Sequence, residues 1–524
     1  MRRRLSSLHP FLVALFPVLS LAAGNAAAVT MPQVWRTAGV SVLGAGALLL
    51  LLRPILGSWP RAAVMASLVL IVFFSYGHLR GLSIGGGYLR NRYLLPLVAA
   101  VFLAGAIWLR RRRTEPTTLS RGLTLVFSLL VLVSAARIAW SQWKFWEQSP
   151  ERTASRAAAP AAAAFSDSPD VYYVILDGYA GAQALREVYG FDNSGFLDAL
   201  RARGFYVADR SRSNYAQTPL SLASSTNMEY IPGELETAGL KTKTLRPLHR
   251  MIENSRVMQA FRRRGYRFVS FQSGWNVTGR NRNADWDVNC GGWEEFGRVL
   301  AETTMLEAFD FLQPLQMEGS RERLLCQFAT LPEIPRRVAA PRYVFAHFVA
   351  PQPPLLFGRD GEPYVGKYKE LDEGAPGVWK DKPGYVDQLV FCSKRILASI
   401  DGIRAASRTP PIIVLQSDHG SAATGFDHLY GNNGLPTTGR EPGLDALLRE
   451  RMEILNAYAV PGGAPALYPS VSPVNSFRVI LNARFGESLP LLPDRSYFSR
   501  YAHPYAFVDV TDRVKADSGP ATAD

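Results

Sequence analysis

Cysteine is nearly missing from this chain, with three in 524 residues: Cys290, Cys326 and Cys392. They are widely spaced and form no CxxC pair. A disulfide framework is therefore not expected, the odd count leaves at least one thiol free, and a thiolate metal centre is set aside. Acidic residues are the minority charge, 44 against 58 Lys and Arg, for a formal net charge of +14. Such an excess suits either nucleic acid or an anionic membrane surface and phosphate-bearing substrates. No zinc finger, helix-turn-helix or RNA-binding signature is present, which argues against nucleic acid. Much of the arginine lies beside apolar segments, which favours the membrane.

Apolar residues crowd into the first quarter. Five stretches, near 9–29, 38–56, 62–79, 92–109 and 122–141, are each about long enough to cross a hydrocarbon core as a helix. A cleavable signal peptide is the alternative for the first, since Arg2, Arg3 and Arg4 precede it and Ala26-Ala27-Ala28 ends it. Four further spans favour a retained helix. Arginine is concentrated in alternate loops, Arg2 to Arg4, then Arg53 and Arg61, then Arg110 to Arg113 and Arg121, against Arg36, Arg80, Arg90 and Arg92 in the opposite loops. By the positive-inside bias the arginine-richer loops are cytoplasmic, and the chain after the fifth span emerges outside. No ionisable side chain lies deep within a span, so anchoring is a simpler role than transport. Residues 1–144 read as the anchor, 145–169 as an Ala- and Pro-containing linker, and 170–524 as a catalytic-sized domain.

In that last part, strand-like runs alternate with amphipathic stretches. Strands are expected at Val171–Leu176, Tyr266–Phe271, Tyr343–Phe348 and Ile412–Gln416. Helices are expected at Gly195–Arg203, Pro219–Met228, Tyr385–Ile403 and Pro473–Phe485. The alternation predicts an α/β sheet with helices on both faces. Ligands in such folds bind beyond the carboxyl ends of the strands. Asp177 ends the first strand, His347 the third, and Asp418-His419-Gly420 the fourth. Each taken singly is as readily a strand-end turn; two carboxylates and an imidazole at strand ends together point to a metal site. Thr218 precedes Pro219, a residue suited to the first helical position. Thr218 is then either a plain N-cap or a hydroxyl held in the positive potential of a helix start, beside free N–H groups. Ser221 and Ser224 are fallback hydroxyls one turn inside. Gln352 stands in Ala350-Pro351-Gln352-Pro353-Pro354. Trp275, Arg280 and Arg282 lie in one loop, where the arginine forks suit phosphate as well as solvent.

Asp177 after a first strand, Thr218 at a helix start and Asp418-His419-Gly420 resemble, in order and spacing, the sulfatase and lipoteichoic-acid-synthase branch of the alkaline-phosphatase superfamily. Five spans before an outer catalytic domain also resemble the lipoteichoic acid synthases. The resemblance implies an alkaline-phosphatase-like α/β domain outside the membrane. It also implies one divalent metal on Asp177, Thr218, Asp418 and His419, often manganese, with Thr218 as nucleophile. Three oxygen donors and one imidazole suit Mn²⁺ or Mg²⁺, with Zn²⁺ as a further candidate. Trp275, Arg280 and Arg282 would correspond to a loop that holds phosphoglycerol. Three departures stand out. No Cys or Ser followed by x-Pro-x-Arg is found, which disfavours sulfate ester hydrolysis. The second zinc site of true alkaline phosphatases has no counterpart. Gln352 replaces the histidine that usually contacts substrate phosphate, leaving His347 as a substitute.

The implied activity is phosphoglycerol-type transfer from a lipid donor to an envelope glycan or lipid, through a phospho-threonine intermediate. The alternatives are a phosphodiesterase or phosphatase that uses water, and a weakened relative that binds envelope polymers.

Overall fold

The computed structural model describes residues 8–147 and 168–515, apart from 26–28, 30, 81–82, 85–86, 89–90, 232–244, 276, 292–294, 310–311, 367–377, 426–428 and 430–443. Most of the expected linker lies outside the described residues. By internal contacts the chain divides into two units: Met1–Ala158 with Trp293–Gln316, and Ala159–Gly292 with Met317–Asp524.

The first unit contains α1 (His9–Gly24), α2 (Met31–Leu56), α3 (Trp59–Arg80), α4 (Asn91–Arg111) and α5 (Thr117–Glu147). Four of these, α2 to α5, are long and apolar enough to cross a membrane. The run at 9–29 is corrected to a helix of 16 residues, because it stops at Gly24. There Asn25 turns back, its side-chain amide donating to the Leu21 carbonyl at 3.0 Å. Short as it is, α1 supplies much of the unit's interior. Val13, Ala14, Val18 and Ala22 are buried against Val34 and Ala38 of α2, Leu70 and Phe74 of α3, and Ile138 of α5. The other helices keep apolar faces outward: Leu43, Leu50, Leu103, Leu125 and Leu132 are exposed. An apolar exterior around a packed interior is what a lipid solvent selects.

The second unit is built on a seven-stranded sheet. Its strands are β1 (Val171–Leu176), β2 (Tyr206–Val207), β3 (Arg267–Phe271), β4 (Trp286–Val288), β5 (Arg342–Phe348), β6 (Ile412–Gln416) and β7 (Asn456–Ala459), in the order β2-β7-β6-β1-β5-β3-β4. β1 runs parallel to both neighbours, with Ile175 opposite His347 on one side and Gln416 on the other. β7 runs antiparallel to β6 and to β2. A separate hairpin joins β8 (Tyr497–Arg500) to β9 (His503–Asp509). β1 is wholly buried because the sheet is covered on both faces. Tyr172, Val174 and Leu176 enter one core cluster; Val171, Tyr173 and Ile175 enter the other. That is the period of two, with both sides apolar.

Helices α6 (Thr218–Asn227), α7 (Lys382–Ala406), α8 (Leu444–Met452) and α9 (Pro473–Phe485) are the ones that bear on the site or its support. The strands expected at 171–176 and 412–416 and the helix at 473–485 coincide with the observed limits. The strands at 266–271 and 343–348 move by one residue at the start, and α7 extends past both expected ends.

The cysteine expectation is corrected. Cys290 and Cys326 form a disulfide with Cα atoms 5.7 Å apart, across 36 residues of chain. The pairing is tertiary: the segment after β4 meets the Leu312–Thr330 helix. Local spacing carries no trace of it. Cys392 remains free and buried, and burial pushes its thiol well above the usual range.

Candidate metal centre

Parallel neighbours end on the same edge, so β1 and β6 deliver their terminal residues side by side. Asp177 follows Leu176, and Asp418-His419 follows the Gln416-Ser417 end of β6. Gly178 makes the turn after Asp177 with φ +68°, and a Cβ there would meet the Gln352 side chain at 2.9 Å. The Gly178 amide donates to Asp418 Oδ1 at 3.2 Å, tying the two strand ends together.

Asp177, Asp418 and His419 are all buried, and each offers a ligand atom within 4.8 Å of the others. The oxygens that converge are the ones the protein leaves unused. Asp177 Oδ1 and Asp418 Oδ2 are buried and accept no hydrogen bond. They lie 3.6 and 3.2 Å from His419 Nε2. Ligands about 2.1 Å from one ion stand roughly 3.0–3.4 Å apart, and the imidazole nitrogen is near that spacing from both oxygens. His419 Nδ1 is 3.0 Å from the Gly420 carbonyl and donates to it, which leaves the Nε2 lone pair facing the cluster. Burial, and then the Arg451 guanidinium, hold this imidazole neutral, as a ligand must be. The short Asp418–His419 contact is therefore one between a carboxyl and a neutral imidazole and not an ion pair. Burial pushes both carboxyls up to about 7; for Asp418 the neighbouring Asp177 adds to the rise. The Arg451 guanidinium opposes this rise at both acids without cancelling it, and two acids so brought together out of water are what a dication would relieve further.

Thr218 stands next to this group. The N-cap of α6 is Gln217, in extended conformation, and Thr218 is the first helical residue; the cap position makes no side-chain hydrogen bond. The expected N-cap role of Thr218 is thus corrected by one residue. Its hydroxyl lies 2.9 Å from His419 Nε2, and both residues are buried. The fallback hydroxyls are engaged elsewhere: Ser221 Oγ donates to the Tyr215 carbonyl at 2.8 Å and Ser224 Oγ to the Glu229 carbonyl at 2.7 Å. The helix start offers less anion-binding capacity than expected, because the amides of Leu220 and Ser221 both donate to the Gln217 carbonyl and Pro219 has none.

His347 Nε2 lies 3.2 Å from Asp177 Oδ2, and His347 Nδ1 lies 2.7 Å from Thr278 Oγ1. Burial lowers this histidine to about 4, so it too is neutral. Gln352 reaches the same carboxylate, Nε2 to Asp177 Oδ2 at 3.5 Å. Trp275 packs edge-on to His347 at 6.1 Å between ring centroids. Arg280 and Arg282 have carboxylate neighbours instead, Asp287 at 3.9 Å and Glu253 at 3.7 Å. The structure thus brings His347, Gln352 and Trp275 toward the cluster and pairs the two arginines with acids.

Arg451, in α8, escaped the sequence reading. It is fully buried. Nε donates to the Ala216 carbonyl and Nη1 to the Gly420 carbonyl, each at 2.9 Å, while Nη2 lies 2.9 Å from His419 Nε2. One guanidinium therefore clamps the segment before Thr218 to the segment after His419 and places a permanent positive charge beside two buried acids. Its neighbour Glu450 accepts from Ser421 Oγ, Ala423 N and both polar groups of Thr424, fixing the next few residues.

Fold and cluster together define a class: an α/β domain with two acids, an imidazole and a threonine hydroxyl gathered at the carboxyl edge of its sheet, preceded by helices able to cross a membrane. No family model matches the chain, and no curated protein matches it in sequence. Among solved structures it is similar to an integral membrane lipooligosaccharide phosphoethanolamine transferase A of Neisseria meningitidis, with 13% identity over 90% of this chain and 95% of that one, TM-score 0.38. It is also similar to the C-terminal periplasmic domain of Escherichia coli EptC in complex with Zn, at 13% identity over 66% and 92%, TM-score 0.40. A phosphonate monoester hydrolase of Agrobacterium radiobacter matches at 12% identity over 63% and 80%, TM-score 0.37.

Proposed function

We propose that this protein is a metal-dependent phosphotransferase on the outer face of the cell (plasma) membrane, with Thr218 as nucleophile toward a phosphodiester. The observation that carries the reading is the Thr218 hydroxyl 2.9 Å from His419 Nε2, at the point where two unpartnered carboxylate oxygens also converge. Asp177, Asp418, His419 and Thr218 would hold one divalent ion, with Mn²⁺ favoured by three oxygen donors and Mg²⁺ and Zn²⁺ as the other candidates. Bound there, the ion would offset the charge of an ionised threonine oxygen and of the phosphoryl group. Thr218 attacks phosphorus, the donor's alcohol leaves with a proton, and an acceptor hydroxyl later takes the group from threonine. His347, Gln352 and Trp275 line the Asp177 side, where substrate oxygens would be oriented. Arg280 and Arg282 would join them only by leaving Asp287 and Glu253.

The donor class is a lipid phosphodiester of the phosphatidylglycerol type, and the acceptor is an envelope glycan or lipid. Confinement of enzyme and donor to one plane raises their effective concentration. Placement outside the cytoplasm is supported by the arginine bias of the loops and by the Cys290–Cys326 disulfide, since such bonds persist in oxidising compartments.

The test is donor turnover by the full-length protein in vesicles containing phosphatidylglycerol, with each of the three metals supplied in turn. Diacylglycerol should appear, rise when a glycan acceptor is added, vanish in Thr218→Ala and persist in part in Thr218→Ser. If Thr218→Ala is folded and turns over donor at the wild-type rate, Thr218 is only a helix-start residue.

A further inference from the structure

Residues 295–309 lie in the middle of the C-terminal sequence, between β4 and the Leu312–Thr330 helix, yet they belong by contact to the unit formed by α1 to α5. Four features seat them there, two of them at Gly77. Phe296 and Leu300, four apart on the Glu295–Glu302 helix, are buried in the same apolar cluster as Val13 and Val18 of α1, Val34 of α2 and Phe74 of α3. The Gly77 amide of α3 donates to the Thr303 carbonyl at 3.0 Å. A Cβ at Gly77 would lie 2.2 Å from the Glu302 carbonyl oxygen, so this approach is open only to glycine. Arg80, at the end of α3, pairs with Glu307 at 2.6 Å. Apolar burial, backbone hydrogen bond, close approach and ion pair all involve the end of α3 that the arginine bias places outside.

The chain thus passes from the second unit into the first and back. The excursion has a closed base: Cys290 and Cys326 flank it and are joined, and Arg323 Nε donates to the Gly291 carbonyl at 2.8 Å. We infer that residues 295–309 are a docking element that fastens the C-terminal unit to the outer ends of the spans, a second attachment independent of the linker. Were the linker of about 25 residues the sole connection, the C-terminal unit could range over roughly 30 Å. A second attachment shortens that range and holds the unit at the membrane. The inference does not depend on the chemistry proposed for the site.

The test uses the full chain in membranes, with a specific protease site placed in the Ala-rich linker between Ala157 and Ala164. After complete cleavage, sedimentation at high salt should leave the C-terminal fragment in the membrane pellet. The double variant Phe296→Asp/Leu300→Asp should release it to the supernatant. Arg80→Glu should weaken retention, and Arg80→Glu/Glu307→Arg should restore it, an outcome that simple adhesion of an apolar helix to lipid would not give. The thiol count of the C-terminal fragment, which carries all three cysteines, read by mass spectrometry, verifies that the Cys290–Cys326 disulfide at the base of the excursion is intact. Release of the fragment from the wild-type pellet overturns the inference, as does retention that neither the Asp pair nor the charge reversal alters.

Discussion

Asp177 and Asp418 lie close together and are both buried. Their carboxyls are pushed up to about 7 by burial, whereas in an unfolded chain they titrate near 4. Between about pH 4 and about pH 7 the folded metal-free protein holds protons that the unfolded chain has released. Stability from this pair is therefore full below about pH 4 and declines as pH rises to about 7. A dication displaces those protons, so its binding should strengthen as pH climbs through the same window and level off above it. Calorimetric titration with Mn²⁺ from pH 5.5 to 8.5 measures this, and Asp418→Asn should both weaken binding and flatten the dependence. Affinity that does not change with pH would mean that the two acids are not the ligands. At this scale the sequence was most informative where a polar residue terminates an apolar strand, as at Asp177, Asp418 and His419. It was silent on Arg451, which lies 32 residues past His419 on a helix with an unremarkable pattern. The single local hint is the charged Glu450-Arg451 pair, buried just before an apolar strand.

The Asp418–Gly420 segment is held by its neighbours more than by its own conformation. At Gly420 an added Cβ would lie 2.1 Å from the Glu450 carbonyl oxygen and 2.7 Å from that of Glu453. Both obstacles are backbone, and the Gly420 amide also donates to the Arg451 carbonyl at 2.7 Å. Gly420→Ala should therefore separate this segment from α8, costing on the order of 1–3 kcal/mol and lowering metal content together with stability. Chemical denaturation combined with metal analysis decides it. A variant of normal stability that binds a full equivalent of metal would show that the clamp can yield. Long elements such as β1, β6 and α9 were legible because their apolar runs have clear limits. The two-residue strand β2, the antiparallel β7 and the Cys290–Cys326 bond were not, since each is specified by partners distant in the chain.

The whole chain joins a helical anchor to an α/β domain, and α1 is central to the first. Its side chains fill the interior between α2, α3 and α5, so removal of α1 as a signal peptide would leave those helices facing a void. The mature protein should accordingly keep residues 9–24, which N-terminal sequencing of purified membranes reads directly; an N-terminus near Val29 would contradict it. The plan of spans followed by an outer domain could be read from hydropathy and arginine placement. The excursion of 295–309 back to the spans could not, because a short amphipathic helix looks the same whether it covers a sheet or a bundle.

The central claim is that Thr218 carries the transferred group. The most direct measurement is peptide mass mapping of the full-length, metal-loaded protein after brief incubation with phosphatidylglycerol vesicles and rapid acid quenching. The account predicts a phosphoglycerol-sized mass increase on the peptide containing Thr218, lost with chelator and absent from Thr218→Ala. Donor turnover without any adduct on Thr218, or an adduct on another residue, would contradict it.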